Sequence, residues 1–587
     1  MPELLRTIVS MPGLDAVLTD CFAELSKEYA VERVDYIPDR DQRRKANVPV
    51  WKITLTANVF GKTEDVDAFI AFPREFPYLL PWVMVPDERF CFLPHISVKS
   101  RKLCLFEDGA VYGTDNIYGL IRNCVSKTRR WLELYSNQDN SAEYAKEINS
   151  YWTEEYEGEK GLAPHWILLG SIPDKTCELQ GYTYPVDCLG KEDKCFDQYI
   201  VCGTEEQNEI LDNIKPRHQV YKLAVLFVKS LRIPATPPYS MTGLQFLQCI
   251  ENPEDRKTCV KYLNKHLGGH FLFPIGLGFM LGGVTIPKQK VFRNGFRPGG
   301  LAATDVLIKF EGNKKLGRIK AGVYEEKRIA DRTVGQLMKQ HKFLIIGLGS
   351  VGSNLCYYLN GYNNASFALV DPDNLTLDNI GRHLLGFNYV DQRKAHAVAE
   401  YLTLYRPDRR VKSIDKQIEE IPVENLNEVS SIFLCTGDVM SEKWLLDKKM
   451  VGEVKTPTFI LWLEPYGVSG VMIYVNPNED EALKRIRLAL DDSFLDYCLI
   501  DRTEYEDGDK LVHRDAGCNG QYALYSANDV VLFLSGMFPH IDNLLSTPSE
   551  TQIYQWVGNI DIAMQKQINL VERAGGLSKN QVLKLNV

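Results

Sequence analysis

The sequence lacks a long uninterrupted apolar run. Its most apolar window, residues 268–284, is short, rich in glycine and broken by Pro274, so it predicts a buried segment and not a membrane span. The first six residues, M-P-E-L-L-R, also lack the apolar core of a secretory signal. We therefore expect a cytoplasmic protein without a membrane partner.

Cysteine pairs with metal-binding spacing are missing as well. The chain has 587 residues and 14 cysteines, and no two cysteines form a C-x-x-C pair. Scattered cysteines in a long chain that has no secretion signal are typical of reduced thiols, and the missing pairs argue against a structural zinc site. No polybasic block occurs and the formal net charge is −9, which argues against nucleic-acid binding.

The composition and the pattern of the sequence divide the chain into three regions. Apolar residues make up 45% and charged residues 25% of the chain, ordinary values for globular protein, and the length favours several domains. Residues 1–155 show the order helix, strand meander, loop and helices, which predicts an α+β domain. Residues 156–320 carry frequent Pro and Gly but no signature, and predict only a linker or scaffold domain. Residues 321–587 predict an α/β domain.

A glycine turn marks the third region. The apolar run 342–346 leads into G-L-G-S-V-G at residues 347–352, a helix-like segment follows, and a second strand ends at Asp371, 19 residues beyond Gly352. Such a βαβ unit directs the amides of a helix N-terminus toward phosphates, and a carboxylate about 20 residues further on suits ribose hydroxyls. This pattern alone also fits a dinucleotide-dependent dehydrogenase.

Charged residues beyond this turn favour adenylation instead. Arg382 and Lys394 follow Asp371 within 23 residues, and Asp438 ends C-T-G-D after a later strand. Cations stabilise triphosphate charge as pyrophosphate departs, and a carboxylate can hold Mg²⁺. A hydride-transfer enzyme needs none of these groups. A Walker-type G-x-x-x-x-G-K-[ST] motif is absent.

The ordered set L-V-D-P-D, N-I-G-R, R-K and C-T-G-D resembles the ThiF/MoeB and ubiquitin-activating enzyme family over roughly residues 325–540. The resemblance implies a Rossmann-like adenylation domain that uses ATP and Mg²⁺. Position by position, it implies a nucleotide-binding turn at Gly347, Gly349 and Gly352, a ribose contact at Asp371, phosphate contacts at Asn379, Arg382 and Lys394, and a metal ligand at Asp438. That family often borrows an arginine from a dimer partner, for which Arg328 or Arg332 is a candidate.

A cysteine lies in the loop that follows. Residues 513–520, H-R-D-A-G-C-N-G, contain Cys518 and precede a segment that we predict as helix from Tyr522 to Leu534. Bacterial members that form a thioester resemble this stretch, which implies that Cys518 is the first thiol. A helix N-terminus lowers the pKa of a cysteine. Cys498 is the second candidate, in a more apolar setting that would raise its pKa.

The first region has a dense set of prolines after a strand, F-P-R-E-F-P-Y-L-L-P at residues 72–81. Proline fixes φ and removes a donor, so this segment must leave the sheet in a rigid turn. The stretch resembles the F-P-x-x-Y-P-x-x-P-P signature of ubiquitin-conjugating enzymes over roughly residues 15–155. The resemblance implies an acyl-carrying thiol at Cys104 with His95 nearby. Ser97 departs from the family's asparagine, and Ser97, His95 or backbone amides could take over its support of the oxyanion.

The order of the two modules resembles the fused activating and conjugating enzymes of bacterial CBASS antiphage operons over nearly the whole chain. This resemblance implies a cytoplasmic homodimer in antiviral defence. The enzyme would adenylate the C-terminal carboxylate of a CD-NTase (a cyclic-nucleotide synthase), pass it as a thioester from Cys518 to Cys104, and ligate it to a lysine of a target protein. Two alternatives stay open. One is a ThiF/MoeB-like adenylyltransferase of a sulfur-carrier or ubiquitin-like protein with a non-catalytic N-terminal docking module, and the other is a non-catalytic scaffold.

Overall fold

The structure is a computed structural model, and it divides into two compact units. One unit contains Met1–Gln207 and His218–Tyr324, and the other contains Asn208–Arg217 and Glu325–Val587. None of the described helices combines the length and the apolar character that a membrane crossing requires. The residues described are 13–38, 43–106, 114–154, 163–186, 196–214, 221–234, 236–276, 280–289, 302–309, 314–507, 510–514 and 521–587.

The first part of the first unit is an antiparallel sheet of four described strands with helices against it. The strands pair in the order β1-β2-β3-β4. Alternate residues of β2, among them Trp51, Ile53 and Leu55, belong to a core that α1 and α2 complete. The elements are α1 (Leu14–Leu25), β1 (Ala30–Pro38), β2 (Arg43–Val59), β3 (Lys62–Ala71), β4 (Trp82–Met84), α2 (Ile117–Tyr135) and α3 (Ser141–Thr153).

The region that the sequence left as a scaffold contains a closed sheet. Its described strands follow the order β10-β11-β5-β7-β6-β8-β9, and β9 pairs back onto β10. The apolar window 268–284 supplies β9 and β10, so the expectation of a buried segment is confirmed. The elements are β5 (Ala163–Leu169), β6 (Cys177–Val186), β7 (Phe196–Cys202), α4 (Glu205–Ile214), β8 (Tyr221–Phe227), α5 (Gly243–Gln248), α6 (Pro253–His266), β9 (Gly269–Pro274), β10 (Leu281–Ile286), α7 (Ala303–Lys309) and β11 (Gly317–Tyr324).

Helix α3 is fastened to strand β11 of the closed sheet. Trp152 Nε1 donates to the carbonyl of Ile319 at 2.8 Å. The guanidinium of Arg318, which is 2% exposed, donates to the carbonyls of Tyr151, Trp152 and Glu154. The last carbonyls of a helix have no partner within the helix, so a buried cation that binds them fixes the end of α3.

The second unit is a doubly wound α/β domain. Its sheet has the order β14-β13-β12-β15-β16-β17-β20-β21, parallel from β14 to β16 and antiparallel beyond. The predicted fold class, an α+β domain followed by a Rossmann-like domain, is confirmed. The elements are α8 (Glu326–Thr333), β12 (His341–Ile346), α9 (Ser350–Leu359), β13 (Ala365–Val370), α10 (Lys394–Tyr405), β14 (Arg410–Ile414), α11 (Val423–Leu426), β15 (Ser431–Leu434), α12 (Val439–Met450), β16 (Thr458–Leu463), β17 (Ser469–Val475), α13 (Asp480–Asp491), α14 (Arg502–Asp507), β18 (Val512–Arg514), β19 (Gln521–Ala523), α15 (Ala527–Ser546), β20 (Gln552–Val557), α16 (Ile560–Lys566) and β21 (Val582–Leu585).

The helix predicted from Tyr522 starts later than expected. Residues Gln521–Ala523 form β19, which pairs with β18, and the helix begins only at Ala527. Ser526 caps it, because its Oγ accepts the amide of Asp529 at 3.2 Å while Asp529 accepts the amide of Ser526 at 2.8 Å. This reciprocal cap fixes the first turn, and the prediction was wrong for the residues before it.

Candidate functional site

The glycine turn joins β12 to α9, and two of its glycines have no room for a side chain. Gly347 has a φ of +83°, and a Cβ there would lie 2.7 Å from the amide nitrogen of Thr436. A Cβ on Gly352 would lie 1.9 Å from the carbonyl oxygen of Gly347. A Cβ on Gly349 would meet nothing within 4 Å. The turn is therefore closely packed on two sides and open above Gly349.

Asp371, directly after β13, accepts hydrogen bonds from backbone amides in and near this turn. Its Oδ2 accepts the amide of Leu348 at 2.7 Å and its Oδ1 accepts the amide of Asp373 at 2.9 Å. Burial raises the pKa of Asp371, and the ammonium of Lys394, 3.9 Å away, opposes that shift. Lys394 also donates to Asp373 at 2.9 Å. Each oxygen of Asp371 keeps a further lone pair, so a ribose hydroxyl can still bind it.

His383 is a residue of this site that sequence reasoning missed. Its Nδ1 accepts the amide of Leu385 at 3.0 Å, so the proton lies on Nε2, which donates to the carbonyl of Leu348 at 2.8 Å. Burial lowers the pKa of His383 to about 4, and the ring is neutral at neutral pH. Asp371 and His383 thus bind the N–H and the C=O of the same turn residue. The only sequence signal is the position of His383 directly after Arg382.

Two adjoining cavities open at Gly349. The large cavity has a volume of about 560 Å³ and its walls include Asn379 and Arg382. The small cavity has a volume of about 400 Å³ and its walls include Asp371 and Lys394. Gly349, Cys435 and Thr436 line both. The structure therefore brings the sequence-predicted nucleotide residues together around one glycine turn, with the carboxylate and the lysine on one side and the arginine and the amide on the other.

Asn379 and Arg382 are two of the polar residues that line the large cavity, and each is held in place by neighbouring backbone groups. Arg382 donates to the carbonyl of Ala523 at 2.6 Å, and its guanidinium lies 4.4 Å from the ring centre of Tyr525. Asn379 Oδ1 accepts the amide of Thr376 at 3.0 Å. Both side chains are positioned before any ligand arrives, which reduces the ordering that binding would require.

Asp438 caps α12 at the wall of the small cavity. Its side chain is exposed, and Oδ2 accepts the amide of Ser441 at 2.8 Å. Within the described ranges, no cluster of three or more His, Cys, Asp or Glu side chains could hold a metal ion by itself. Mg²⁺ usually takes only one or two carboxylates together with substrate phosphates. An exposed carboxylate beside a nucleotide-sized cavity fits that mode of binding.

The first unit contains a separate cavity at Cys104. This thiol cavity has a volume of about 520 Å³, and its walls include Cys104, His95, Lys127, Arg130 and Glu147. The thiol of Cys104 is exposed. Its amide donates to the carbonyl of His95 at 2.8 Å, so the backbone itself sets the spacing of these two residues. A cysteine and an ionisable ring therefore share one concave surface.

The imidazole of His95 is bound by a carboxylate from α3. Its Nδ1 lies 2.7 Å from Glu147 Oε1, and this hydrogen bond is the largest influence that raises the pKa of His95. Burial would raise the pKa of Glu147, but the hydrogen bonds from His95 and Tyr151 outweigh it and lower that pKa. The two groups thus form a mutually stabilised pair. Glu147 was not identified from the sequence, because nothing local links α3 to residue 95.

Helices α2 and α3 fix the loop that carries His95. Trp131 Nε1 of α2 donates to the carbonyl of Pro94 at 2.7 Å, and Tyr144 of α3 donates to the carbonyl of Phe92 at 2.5 Å. The amide of His95 donates to the hydroxyl of Tyr151 at 3.0 Å. His95 has a φ of +62°, a region that non-glycine residues occupy only where the surroundings enforce it.

Three further predicted residues have distinct positions. Ser97 Oγ accepts the amide of Ser100 at 3.3 Å in a local turn, and Ser97 does not belong to the walls of the thiol cavity as the described residues form them. Cys498 is buried, and burial raises its pKa well above the usual value. Cys518 lies outside the described residues. Helix α15, which was expected to begin just after Cys518, begins only at Ala527, beyond strand β19.

All three of these cavities lie in regions that match known families. Residues 327–539 match the ThiF family, and residues 39–160 match the prokaryotic E2 family B. The chain combines a ThiF-family domain with a prokaryotic E2 domain. The ThiF-family domain contains the glycine turn and its two cavities, and the E2 domain contains His95, Cys104 and Glu147.

Similar whole proteins match only in part. Two curated proteins are called ATP-dependent ubiquitin transferase-like protein Cap2. The one from Enterobacter hormaechei subsp. hoffmannii (strain UCI 50) is 33% identical over 104 residues, 17% of this chain and 17% of that protein. The one from Pseudomonas aeruginosa (strain BWHPSA011 / Pa011) is 29% identical over 153 residues, 24% of this chain and 27% of that protein. The chain therefore spans less than a third of the length of either relative. A crystal structure of selenomethionine-labelled PaaA covers 45% of this chain and 83% of its own at 16% identity, but its TM-score of 0.28 carries no argument.

Proposed function

We propose that the chain is an ATP-dependent protein ligase that activates a carboxylate in its ThiF-family domain and transfers it from its E2 domain. A protein C-terminal carboxylate attacks the α-phosphate of ATP, which forms an acyl adenylate and releases pyrophosphate. A thiolate then displaces AMP, and Cys104 takes the acyl group by thiol exchange. A lysine amine displaces the Cys104 thiolate and forms an isopeptide bond. The series of steps replaces one high barrier by several smaller ones.

The observation that carries this proposal is the presence of two chemically different sites in one chain, the pair of adjoining cavities at the glycine turn and the thiol cavity. One is lined by a glycine turn, a buried carboxylate, a lysine and an arginine, as nucleotide activation requires. The other is lined by an exposed thiol beside a paired imidazole. An adenylating enzyme without a transfer function would need only the first of them.

In the ThiF-family domain, different described residues would bind different parts of ATP. Asp371 would accept from the ribose, and the open backbone above Gly349 would let phosphates approach the amides of α9. Arg382 and Lys394 would offset charge as pyrophosphate leaves. Mg²⁺, held by Asp438 and the substrate phosphates, would supply additional charge stabilisation.

In the E2 domain, His95 would accept the proton that the attacking amine loses. Glu147 holds Nδ1 of the ring, and this contact would stabilise the imidazolium that results. Lys127 and Arg130 add positive charge to the same cavity wall, which suits an oxyanion on the thioester carbonyl. The alternative of Ser97 as the supporting group is less favoured, since Ser97 does not belong to the described walls of the thiol cavity.

Cys518 stays our candidate for the first thioester, on the resemblance to thioester-forming relatives. Cys498 is a poorer nucleophile because burial raises its pKa. We further propose that the donor is the C-terminus of a CD-NTase, that the acceptor is a lysine of a target protein, and that a cytoplasmic homodimer acts in antiviral defence. These partners rest on the resemblance to fused activating and conjugating enzymes of CBASS operons.

The test combines the purified chain, ATP, Mg²⁺ and the CD-NTase proposed as donor. We expect donor-stimulated exchange of pyrophosphate into ATP, and two adducts on non-reducing gels that mercaptoethanol removes. Asp438→Ala should abolish every step, Cys518→Ala should keep exchange but form no thioester, and Cys104→Ala should leave one adduct. Conjugation at the normal rate by Cys104→Ala would contradict the role of the E2 domain. A thiocarboxylate product, detected by mass spectrometry, would favour a sulfur-carrier adenylyltransferase.

A further inference from the structure

The large cavity contains a carboxylic acid that the nucleotide roles leave unassigned. Glu442, in the first turn of α12, is 4% exposed and lies in the cavity wall. Its amide donates to the carbonyl of Asp438 at 3.1 Å, but its carboxyl group makes no hydrogen bond or ion pair with any residue that the structure describes. A buried carboxyl group without a partner destabilises the folded state, and such groups are few in native proteins. A ligand group that enters the cavity would provide the missing partner.

The surroundings of Glu442 favour a neutral acid. Leu461 and Trp462 lie in the same cavity wall, and Asp438 is one helical turn earlier on α12. Burial, and then the negative charge of Asp438, raise the pKa of Glu442 to about 8. A neutral carboxyl group donates one hydrogen bond and accepts another. A peptide unit presents the complementary pair, a C=O and an N–H.

The wall that includes Leu461 and Trp462 offers a second feature suited to a peptide. Strand β15 pairs with β16 only as far as Leu434 and Ile460, whereas β17 pairs with β16 through Leu463. Residues 461–463 therefore have a described partner strand on one side only, and all three line the large cavity. An open strand edge is a template for an extended peptide, whose backbone completes the hydrogen bonds.

We propose that Glu442 binds the peptide backbone of the donor's C-terminal tail, which enters the large cavity in extended form beside the open edge of β16. This proposal rests on the proposed function, and it assigns a donor-recognition residue that is separate from the groups expected to bind ATP. Glu442 acts as a hydrogen-bonding group of the cavity wall. The occupant is a peptide with a free carboxylate, which the tail would present to ATP where the two cavities adjoin.

The test separates the Michaelis constants of the two substrates. The probes are the CD-NTase proposed as donor and a synthetic peptide of its last ten residues, both in the ATP–pyrophosphate exchange assay with the full chain. Glu442→Leu should raise the KM for the donor about tenfold, which corresponds to the loss of one hydrogen bond from a desolvated site. The KM for ATP should change less than about twofold. Glu442→Gln keeps a donor and an acceptor and should stay near the normal KM.

The control is Glu424→Leu, a glutamate of the same unit that is exposed on α11, and it should alter neither constant. If Glu442→Leu fails to fold, an N-methyl scan of the peptide with the unaltered chain tests the same contact, because one methylated position should raise the donor KM about tenfold. An unchanged donor KM in Glu442→Leu, or equal impairment of Glu442→Gln, overturns the proposal while the proposed function stands. Absence of donor-dependent exchange by the unaltered chain overturns the proposed function and this proposal with it.

Discussion

At the scale of single residues, exposure separates Cys104 from the other described cysteines. Cys177 and Cys249 are half-buried, and the remaining ones, such as Cys91 and Cys124, are buried. Burial also raises the pKa of Cys124 to about 12. Since the thiolate is the reactive form and must be reached by its partner, the fold reserves thiol chemistry in the E2 domain for Cys104.

Brief alkylation should reveal this difference. Iodoacetamide at neutral pH should modify Cys104 at least about tenfold faster than Cys91 or Cys124, because the two buried thiols react only when the domain opens. Peptide mass spectrometry after a short time course measures the ratio. Cys104→Ser should remove the fast peptide and leave the slow ones unchanged. Modification of Cys124 as fast as Cys104 would mean that the core around α2 is not closed.

The charge of His95 is a second property that a single neighbouring residue influences. The hydrogen bond that His95 donates to Glu147, opposed by burial, raises the pKa of His95 above its ordinary value. If neutral His95 accepts the proton in aminolysis, the rate should rise with pH through that raised pKa. Removal of the Glu147 charge lowers the pKa, so the neutral ring is reached at lower pH.

Glu147→Gln should therefore move the acid limb of the pH–rate profile to lower pH, and the plateau rate should fall about tenfold because the imidazolium loses its stabilising carboxylate. The measurement is single-turnover transfer from the preformed Cys104 thioester to an amine between pH 5.5 and 9. Glu133→Gln is the matched control, since Glu133 lies half-exposed on α2 and pairs with Arg129. An unmoved acid limb would show that His95 does not carry the proton.

At the scale of elements, the turn between β12 and α9 depends on how closely its backbone segments approach. The place of a Cβ on Gly352 is already taken by the carbonyl oxygen of Gly347. The space above Gly349 is empty and belongs to both cavities of the ThiF-family domain. Two glycines of one motif thus serve opposite purposes, contact in one case and access in the other.

Alanine substitutions should separate these purposes. Gly352→Ala should destabilise the domain by about 3 kcal/mol or more, because backbone must shift to admit the methyl group. Gly349→Ala should change the free energy of unfolding by less than about 1 kcal/mol, yet raise the KM for ATP about tenfold because the methyl group enters the space for phosphates. Thermal unfolding with and without ATP measures both effects. Equal loss of stability in the two variants would contradict the geometry.

Sequence reasoning reached the elements whose signals are local. The glycines, the apolar run 342–346 and Asp371 predict the βαβ unit, and the structure forms it. The closed sheet could not be predicted from the sequence, since β5 pairs with β11 across some 150 residues and such pairings leave no local pattern. The start of α15 was misplaced because Tyr522 and Ala523 also suit a strand. His383 and Glu147 were missed because their partners are distant in sequence.

At the scale of the whole molecule, the residues proposed for activation and those proposed for transfer lie in two different units. Cys104 belongs to the first unit and the glycine turn to the second. A covalent link between two reactive modules replaces an encounter in solution by an effective concentration, typically in the millimolar range for a linker that can span them. Cellular proteins are far more dilute, so the fused arrangement would make acyl transfer independent of how much enzyme is present.

Thioester arrival at Cys104 should therefore follow first-order kinetics whose rate constant is unchanged over a hundredfold range of enzyme concentration. The measurement is a rapid-quench time course with saturating donor and ATP, followed by non-reducing gels. As a control, a chain with Cys104→Ala mixed with a chain carrying Asp438→Ala must transfer between molecules, unless the two share one oligomer, and its rate should rise with concentration. A rate for the unaltered chain that also rises in proportion to concentration would mean that transfer occurs between independent molecules. Fusion would then serve only to produce the two activities in equal amounts, and the proposed relay within one chain would be wrong.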